Sequence, residues 1–218
     1  IVYVETLPNS DITGVEVVRE NSEGIAYSVE SRPDYTYTWV VEGGTQASGG
    51  GTSNITVDWD DAGTAQVKVV GQSAGCATES DTTYLTVTLY NVIPSNQSGD
   101  WDDPDTWDCA GCIPKVTDNV LISSGHTVNL VANTCITNLD IDVGGVLDCD
   151  ANGRHLEIKG HFTCDGTLKG ATNRDITLLG VLKNIGGTGE VSNTPANFYI
   201  TGGDKQVVVG TNLTLIGN

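Results

Sequence analysis

Methionine is absent from the 218 residues, and phenylalanine occurs only twice. Basic side chains are scarce as well, 10 against 28 acidic ones, for a formal net charge of -18. A surface so acidic repels phosphate backbones, which excludes nucleic acid as a partner. No run approaches the roughly 20 apolar residues that span a bilayer, so we expect no membrane insertion by this segment. Apolar residues spaced i, i+3, i+4, i+7 over three turns are also missing, which excludes amphipathic helices. What remains is a chain of 27 glycines and short alternating runs rich in Thr, Val, Asn and Asp. Its reading is all-β.

The length suits two modest domains. Six cysteines without methionine point to an oxidising, extracellular compartment. From about residue 9 to residue 90, strand-like runs alternate between turns. Tyr35, Tyr37, Trp39 and Val41 share one face, and Ile55, Val57 and Trp59 repeat the pattern. Val67 and Val69, then Leu85, Val87 and Leu89, supply further strands of an Ig-like two-sheet sandwich with Trp39 at its centre. Gly43-Gly44 and Gly49-Gly50-Gly51 are turns.

Asp11-Ile12-Thr13-Gly14, the run from Glu20 to Val29, Tyr35-Thr36-Tyr37-Thr38-Trp39 and Ser73-Ala74-Gly75-Cys76 together resemble the PKD-like domains strung in tandem through Bacteroidetes surface and gliding-associated proteins. Many such relatives carry a Cys just before the Glu-Asn pair, matched to the later Gly-Cys. Arg19 stands there instead, so the resemblance leaves Cys76 without its implied partner. We place this domain at 1–93, with residues 1–8 as the tail of a preceding module, and a short linker at 94–98.

From residue 99 the character changes. Gly99-Asp100-Trp101-Asp102-Asp103-Pro104-Asp105-Thr106-Trp107, Ile113-Pro114, Asp118-Asn119-Val120 and Gly125-His126-Thr127-Val128 resemble the opening of β-helical segments in similar secreted proteins. The resemblance implies a right-handed parallel β-helix over 99–218, truncated at its C-terminal end. Runs at 139–141, 156–160, 176–180, 199–202 and 213–217 each combine a short alternating strand with a turn, and Gly160, Gly180 and Gly202 fall at about one coil spacing. Trp101 and Trp107 are expected to cap the first coil.

Asp100, Asp102, Asp103 and Asp105 have the alternating spacing of a calcium loop but lack its Gly and terminal Glu. A turn-and-cap role competes, and calcium is the one cofactor considered. Asp58, Asp60 and Asp61 read as a solvated hairpin turn. Cys109-Ala110-Gly111-Cys112 reads as a local disulfide rather than a redox or zinc motif, because it sits on no helix and has no second ligand pair. Strand parity turns Cys149 and Cys164 inward, and neighbouring coils are ~4.8 Å apart. A bridge between them is expected, with Cys135 as the competing partner and reduced thiols as the alternative.

His126, His155 and His161 lie on turns or strand edges beside no recognisable nucleophile motif. Asp140, Asp142, Asp148 and Asp150 could serve a carbohydrate-active β-helix, and Tyr199 could stack on a sugar. The preferred reading is a non-catalytic structural or adhesive module of a large secreted cell-surface protein. The resemblance implies type IX export and, as partners, other modules of the same chain, the secretion and attachment machinery, and surface glycans or cells. A glycan-binding or polysaccharide-degrading β-helix is the alternative.

Overall fold

The structure is a computed structural model that describes residues 11–74, 82–149, 152–170, 175–179, 183–192, 198–200, 205–207 and 214–215; for 183–186 and beyond Ser192 it describes the backbone alone. The chain divides into two compact units, Ile1–Asn91 and Val92–Asn218.

Among the described residues, the first unit holds seven strands: β1 (Val17–Arg19), β2 (Ile25–Ser28), β3 (Tyr35–Glu42), β4 (Gly44–Ser48), β5 (Asn54–Trp59), β6 (Gly63–Ser73) and β7 (Thr83–Tyr90). They form a four-stranded sheet, β1-β7-β6-β3, and a three-stranded sheet, β2-β5-β4. Every pair is antiparallel except β1 with β7. The alternation expected from sequence puts Tyr37, Trp39, Ile55, Val57, Trp59, Val67, Val69, Val87 and Leu89 into one core. Trp39 is buried, and its indole Nε1 donates to the Thr52 carbonyl at 2.8 Å, which settles the one polar atom its burial would otherwise strand. Upstream of β1 the chain crosses over Tyr27, whose hydroxyl donates to the Val15 carbonyl at 3.0 Å. Gly14 permits this crossing, since a Cβ there would overlap the Tyr27 ring.

The second unit begins with β8 (Ile93–Pro94), β9 (Gly99–Asp100) and a 3-10 turn at Pro104–Thr106. Fourteen short strands follow. They are β10 (Asn119–Ile122), β11 (Thr127–Asn129), β12 (Thr134–Ile136), β13 (Asn138–Ile141), β14 (Val146–Asp148), β15 (Leu156–Ile158) and β16 (Phe162–Cys164), then β17 (Thr167–Lys169), β18 (Ile176–Leu178), β19 (Lys183–Gly186), β20 (Glu190–Ser192), β21 (Phe198–Ile200), β22 (Lys205–Val207) and β23 (Thr214–Leu215). Every third strand returns to the same sheet, giving the orders β8-β10-β13-β16-β19-β22, β9-β11-β14-β17-β20-β23 and β12-β15-β18-β21. All pairings between these strands are parallel, and each return uses roughly 20 residues.

Register stacks like on like inside. Val120 lies opposite Leu139 and Leu139 opposite Phe162; Val128 opposite Leu147 and Leu147 opposite Leu168; Ile136 opposite Ile158 and Ile158 opposite Leu178. These aliphatic ladders are almost wholly removed from water and form one core with Trp101 and Trp107. The repeat expected from sequence mixes these ladders. Leu139 belongs to the first sheet and Thr214–Leu215 to the second, whereas the strands before Gly160, Gly180 and Gly202 lie on the third.

The stretch 94–98 is not a linker. Pro94 lies opposite Leu121, the Ser95 amide donates to the Leu121 carbonyl at 2.8 Å, and Ser95 is buried. On its other side it meets 106–108: the Asn96 amide donates to the Thr106 carbonyl and the Asp108 amide to the Pro94 carbonyl. A polar composition suggested a loop, but paired backbone on both flanks makes these residues an integral first layer.

Candidate functional site

The two-tryptophan segment covers the lower end of the second unit's core. The Trp101 amide donates to the Asn129 carbonyl at 2.9 Å, the same bond that Leu130 makes to Asp148 and Cys149 to Lys169 one and two layers higher. Trp101 therefore occupies the lowest place in an interior column continued by Leu130 and Cys149. Trp107 packs on it edge to face, centroids 4.7 Å apart, and donates its indole N–H to the Trp101 carbonyl at 2.8 Å. Thr106 fills the space that Gly99 leaves open and donates its hydroxyl to the Asp100 carbonyl at 2.9 Å. Cover for both core and open sheet edge is what a first layer requires.

The acidic run serves this turn. Asp103 N-caps the 3-10 turn by accepting the Asp105 amide at 3.0 Å, and Asp100 accepts from the Asn129 side chain at 3.1 Å. Asp100, Asp102, Asp103 and Asp105 do not gather into a group of three or more that could hold a cation, nor do any other His, Cys, Asp or Glu among the described residues. Asp58 likewise accepts the Gly24 amide at 2.8 Å.

Cys109 and Cys112 form a disulfide, Cα atoms 5.4 Å apart, across a tight loop in which Ala110 and Gly111 both take positive φ. The expected Cys149–Cys164 bridge is not formed, nor is either cysteine joined to Cys135. The reason is topological. Cys164 ends β16 opposite Ile141 on the first sheet, Cys149 follows β14 on the second, and Cys135 lies in β12 on the third. Parity correctly turns Cys149 and Cys164 inward, where both are fully buried, but parity does not say which sheet a residue occupies. Burial pushes the Cys164 thiol up to about 11. Cys135 faces outward, its sulfur donating to Glu157 Oε1 at 3.1 Å; burial and then the neighbouring carboxylate raise its thiol above the ordinary range. Cys76 lies outside the described residues.

Sequence reasoning missed one polar knot. Ser95 Oγ accepts the Ser123 amide at 2.9 Å and lies 2.9 Å from His126 Nδ1, which is also 3.1 Å from the Ser95 carbonyl. Either histidine tautomer finds a partner there. A serine beside a histidine suggests an activated nucleophile, but Ser95 is buried at 4% exposure and its oxygen already takes an amide. The knot fastens the corner between the first and second sheets. Signal for it was lost once 94–98 was read as a linker.

Above His126, the same corner is occupied by Gly145, Gly166 and Gly189, each followed by a residue whose amide donates to the corner carbonyl one layer below. An open depression beside them is lined by Gly144, Asp165, Gly166, Thr167, Thr188, Gly189 and Glu190. One Asp165 oxygen there accepts both the amide and the hydroxyl of Thr188.

The other carboxylates are dispersed. Asp140 is buried on the first sheet, while Asp148 on the second is 3.2 Å from Lys169, its register neighbour. Asp142 follows β13, and Asp150 lies outside the described residues. His155 and His161 are half-buried; their amides donate to Asn133 and Asn138 side chains. Tyr199 falls on β21, its side chain outside the described residues.

Taken together, fold and site define an all-β protein that joins an Ig-like sandwich to a unit of parallel sheets. Residues 5–87 match the family model of the PKD-like domain, so the first unit is a PKD-like domain. No curated protein and no solved structure matches the chain significantly. PKD-like domains are typically extracellular modules, and no helix among the described residues is long and apolar enough to cross a membrane.

Proposed function

We propose that this chain is a non-catalytic structural and adhesive segment of a large, secreted bacterial surface protein. In this reading the second unit is a parallel β-helix, right-handed as parallel crossovers nearly always are. The observation that supports it is the return of every third strand to the same parallel sheet over aliphatic ladders. A layer of that kind hides its apolar side only by lying on its neighbour, so the layers make a stiff stack with a broad outer surface. The carboxylates distributed over different sheets favour display over catalysis. The PKD-like match supports an extracellular setting in which the sandwich spaces modules along a longer chain. Type IX export, attachment through elements elsewhere, and contact with surface glycans or other cells complete the reading.

The test is incubation of the purified chain with a panel of polysaccharides, followed for binding and for released oligosaccharides. No product release is expected. Release that disappears in Asp148→Ala would overturn the non-catalytic reading in favour of a glycan-cleaving one.

A further inference from the structure

The loop that carries the chain from the two-tryptophan turn to β10 is held firmly at both ends. At its start the Asp108 amide donates to the Pro94 carbonyl at 3.0 Å. Near its end the Lys115 amide donates to the Asp118 carboxylate at 2.8 Å. Thr137, one layer on, gives its amide to the Asp118 carbonyl at 2.9 Å and its hydroxyl to the Val116 carbonyl at 3.0 Å. The middle of the loop is held differently. Among the described residues, the bonds that fix the stretch between Asp108 and Lys115 are the Cys109–Cys112 disulfide and, inside it, one hydrogen bond from the Cys112 amide to the Cys109 carbonyl at 3.3 Å.

The turn that the disulfide closes is not one the backbone adopts freely. Gly111 takes a φ of +83° without steric cost, but Ala110 takes +51°, where its Cβ crowds the following carbonyl and the left-handed form is disfavoured roughly fivefold or more. The cross-link therefore holds Ala110 in a conformation that the free loop would leave. Cys109 and Cys112 are half-buried and the two residues between them exposed, so a reductant meets the bond from the solvent side. The pair starts no helix whose N-terminus would favour a thiolate, which suits it to be a substrate of thiol exchange rather than a catalyst of it. Cys109 also packs against the core that holds Trp101 and Trp107, so the state of this bond bears directly on the covered end of the stack.

We propose that Cys109–Cys112 is a redox latch on the first layer: an external dithiol opens it, the loop leaves its left-handed turn, and the parallel ladders stay intact. In the exchange a thiolate of the reductant attacks one sulfur, forming a mixed disulfide and expelling the other sulfur as a thiolate that takes up a proton. The second thiol of the reductant then displaces the remaining sulfur. Two electrons have moved: the reductant ends as a disulfide, and Cys109 and Cys112 as two thiols. The latch rests on the loop alone and does not depend on the surface-display reading above.

The full chain, equilibrated in mixtures of reduced and oxidised dithiothreitol and then thiol-trapped for mass measurement of the peptide that contains both cysteines, gives the reductant ratio at half-reduction. Ala110→Asn, which tolerates the left-handed turn, should need at least about threefold more reductant than the parent, and Ala110→Val, which is β-branched, at least about threefold less. A turn kept in both redox states would carry the same penalty in both, so these shifts appear only if reduction releases it. Hydrogen exchange supplies the second readout. In the reduced protein the amides of residues 110–113 should exchange at least about tenfold faster, while Asn119–Ile122 and Asn138–Ile141 keep their protection. Half-reduction ratios that neither substitution moves, exchange in the loop that reduction leaves unchanged, or loss of protection in the ladders together with the loop would each overturn the latch.

Discussion

Gly145→Ala is a demanding test of how the second unit is held together. A Cβ at this corner would lie 2.7 Å from the Ile122 carbonyl oxygen and 3.0 Å from those of Asp142 and Ser123. All three are backbone atoms, so relief requires moving a layer rather than turning a side chain. Overpacking of this kind costs about 1–3 kcal/mol, and the rigid neighbours place this case near the top of that range. With a urea slope of about 2 kcal/mol/M, a loss of about 3 kcal/mol lowers the unfolding midpoint by about 1.5 M. Gly153→Ala is the control: its φ is +60° and nothing lies within 4 Å, so only conformational strain of roughly 1 kcal/mol enters. Trp101 and Trp107 fluorescence reports the second unit. Mutating Trp39 and Trp59 to Phe in the same background removes the first unit's signal. Equal midpoints for Gly145→Ala and the parent would refute the argument that the corner carbonyls leave no room for a Cβ at this position.

Replacing Cys109 and Cys112 by Ser should cost only about 2 kcal/mol, because the disulfide closes so short a loop, and the loss should match that seen on adding a reductant to the parent in a urea melt. Cys164 is an acid whose folded pKa is raised from 9.0 to about 11, so the folded state holds its proton longer than the unfolded chain does. Its contribution is complete below pH 9 and declines as pH rises toward 11; alkaline melts of Cys164→Ala should lack that slope. Calcium added to EDTA-treated protein should leave the melting temperature unchanged. A rise that is lost in Asp102→Asn/Asp105→Asn would show that the acidic run binds the ion in the native state.

Alternation along the strands made the sandwich legible, since Tyr37, Trp39, Ile55 and Val57 have nowhere else to bury. Parallel pairing beyond residue 119 was also within reach, and so was the place of Trp101 and Trp107 in the core. Local pattern could not assign a strand to one of three sheets. That gap explains both the mixed repeat register and the expected Cys149–Cys164 bridge. Nor could composition distinguish a loop from Pro94–Asn96, whose order comes from long-range partners at Leu121 and Thr106. The Ser95–His126 contact depends on the same distant pairing and was hidden with it.

Parallel strands in one sheet are ~4.8 Å apart, so the six that run from Ile93 to Val207 rise by only about 24 Å. An extended chain gains that height in fewer than about ten residues. Building upward in this way is a slow means of reaching outward and an effective means of making girth. In the β-helix reading proposed above, a polypeptide that invests so much length per ångström gains bending resistance and lateral area rather than reach.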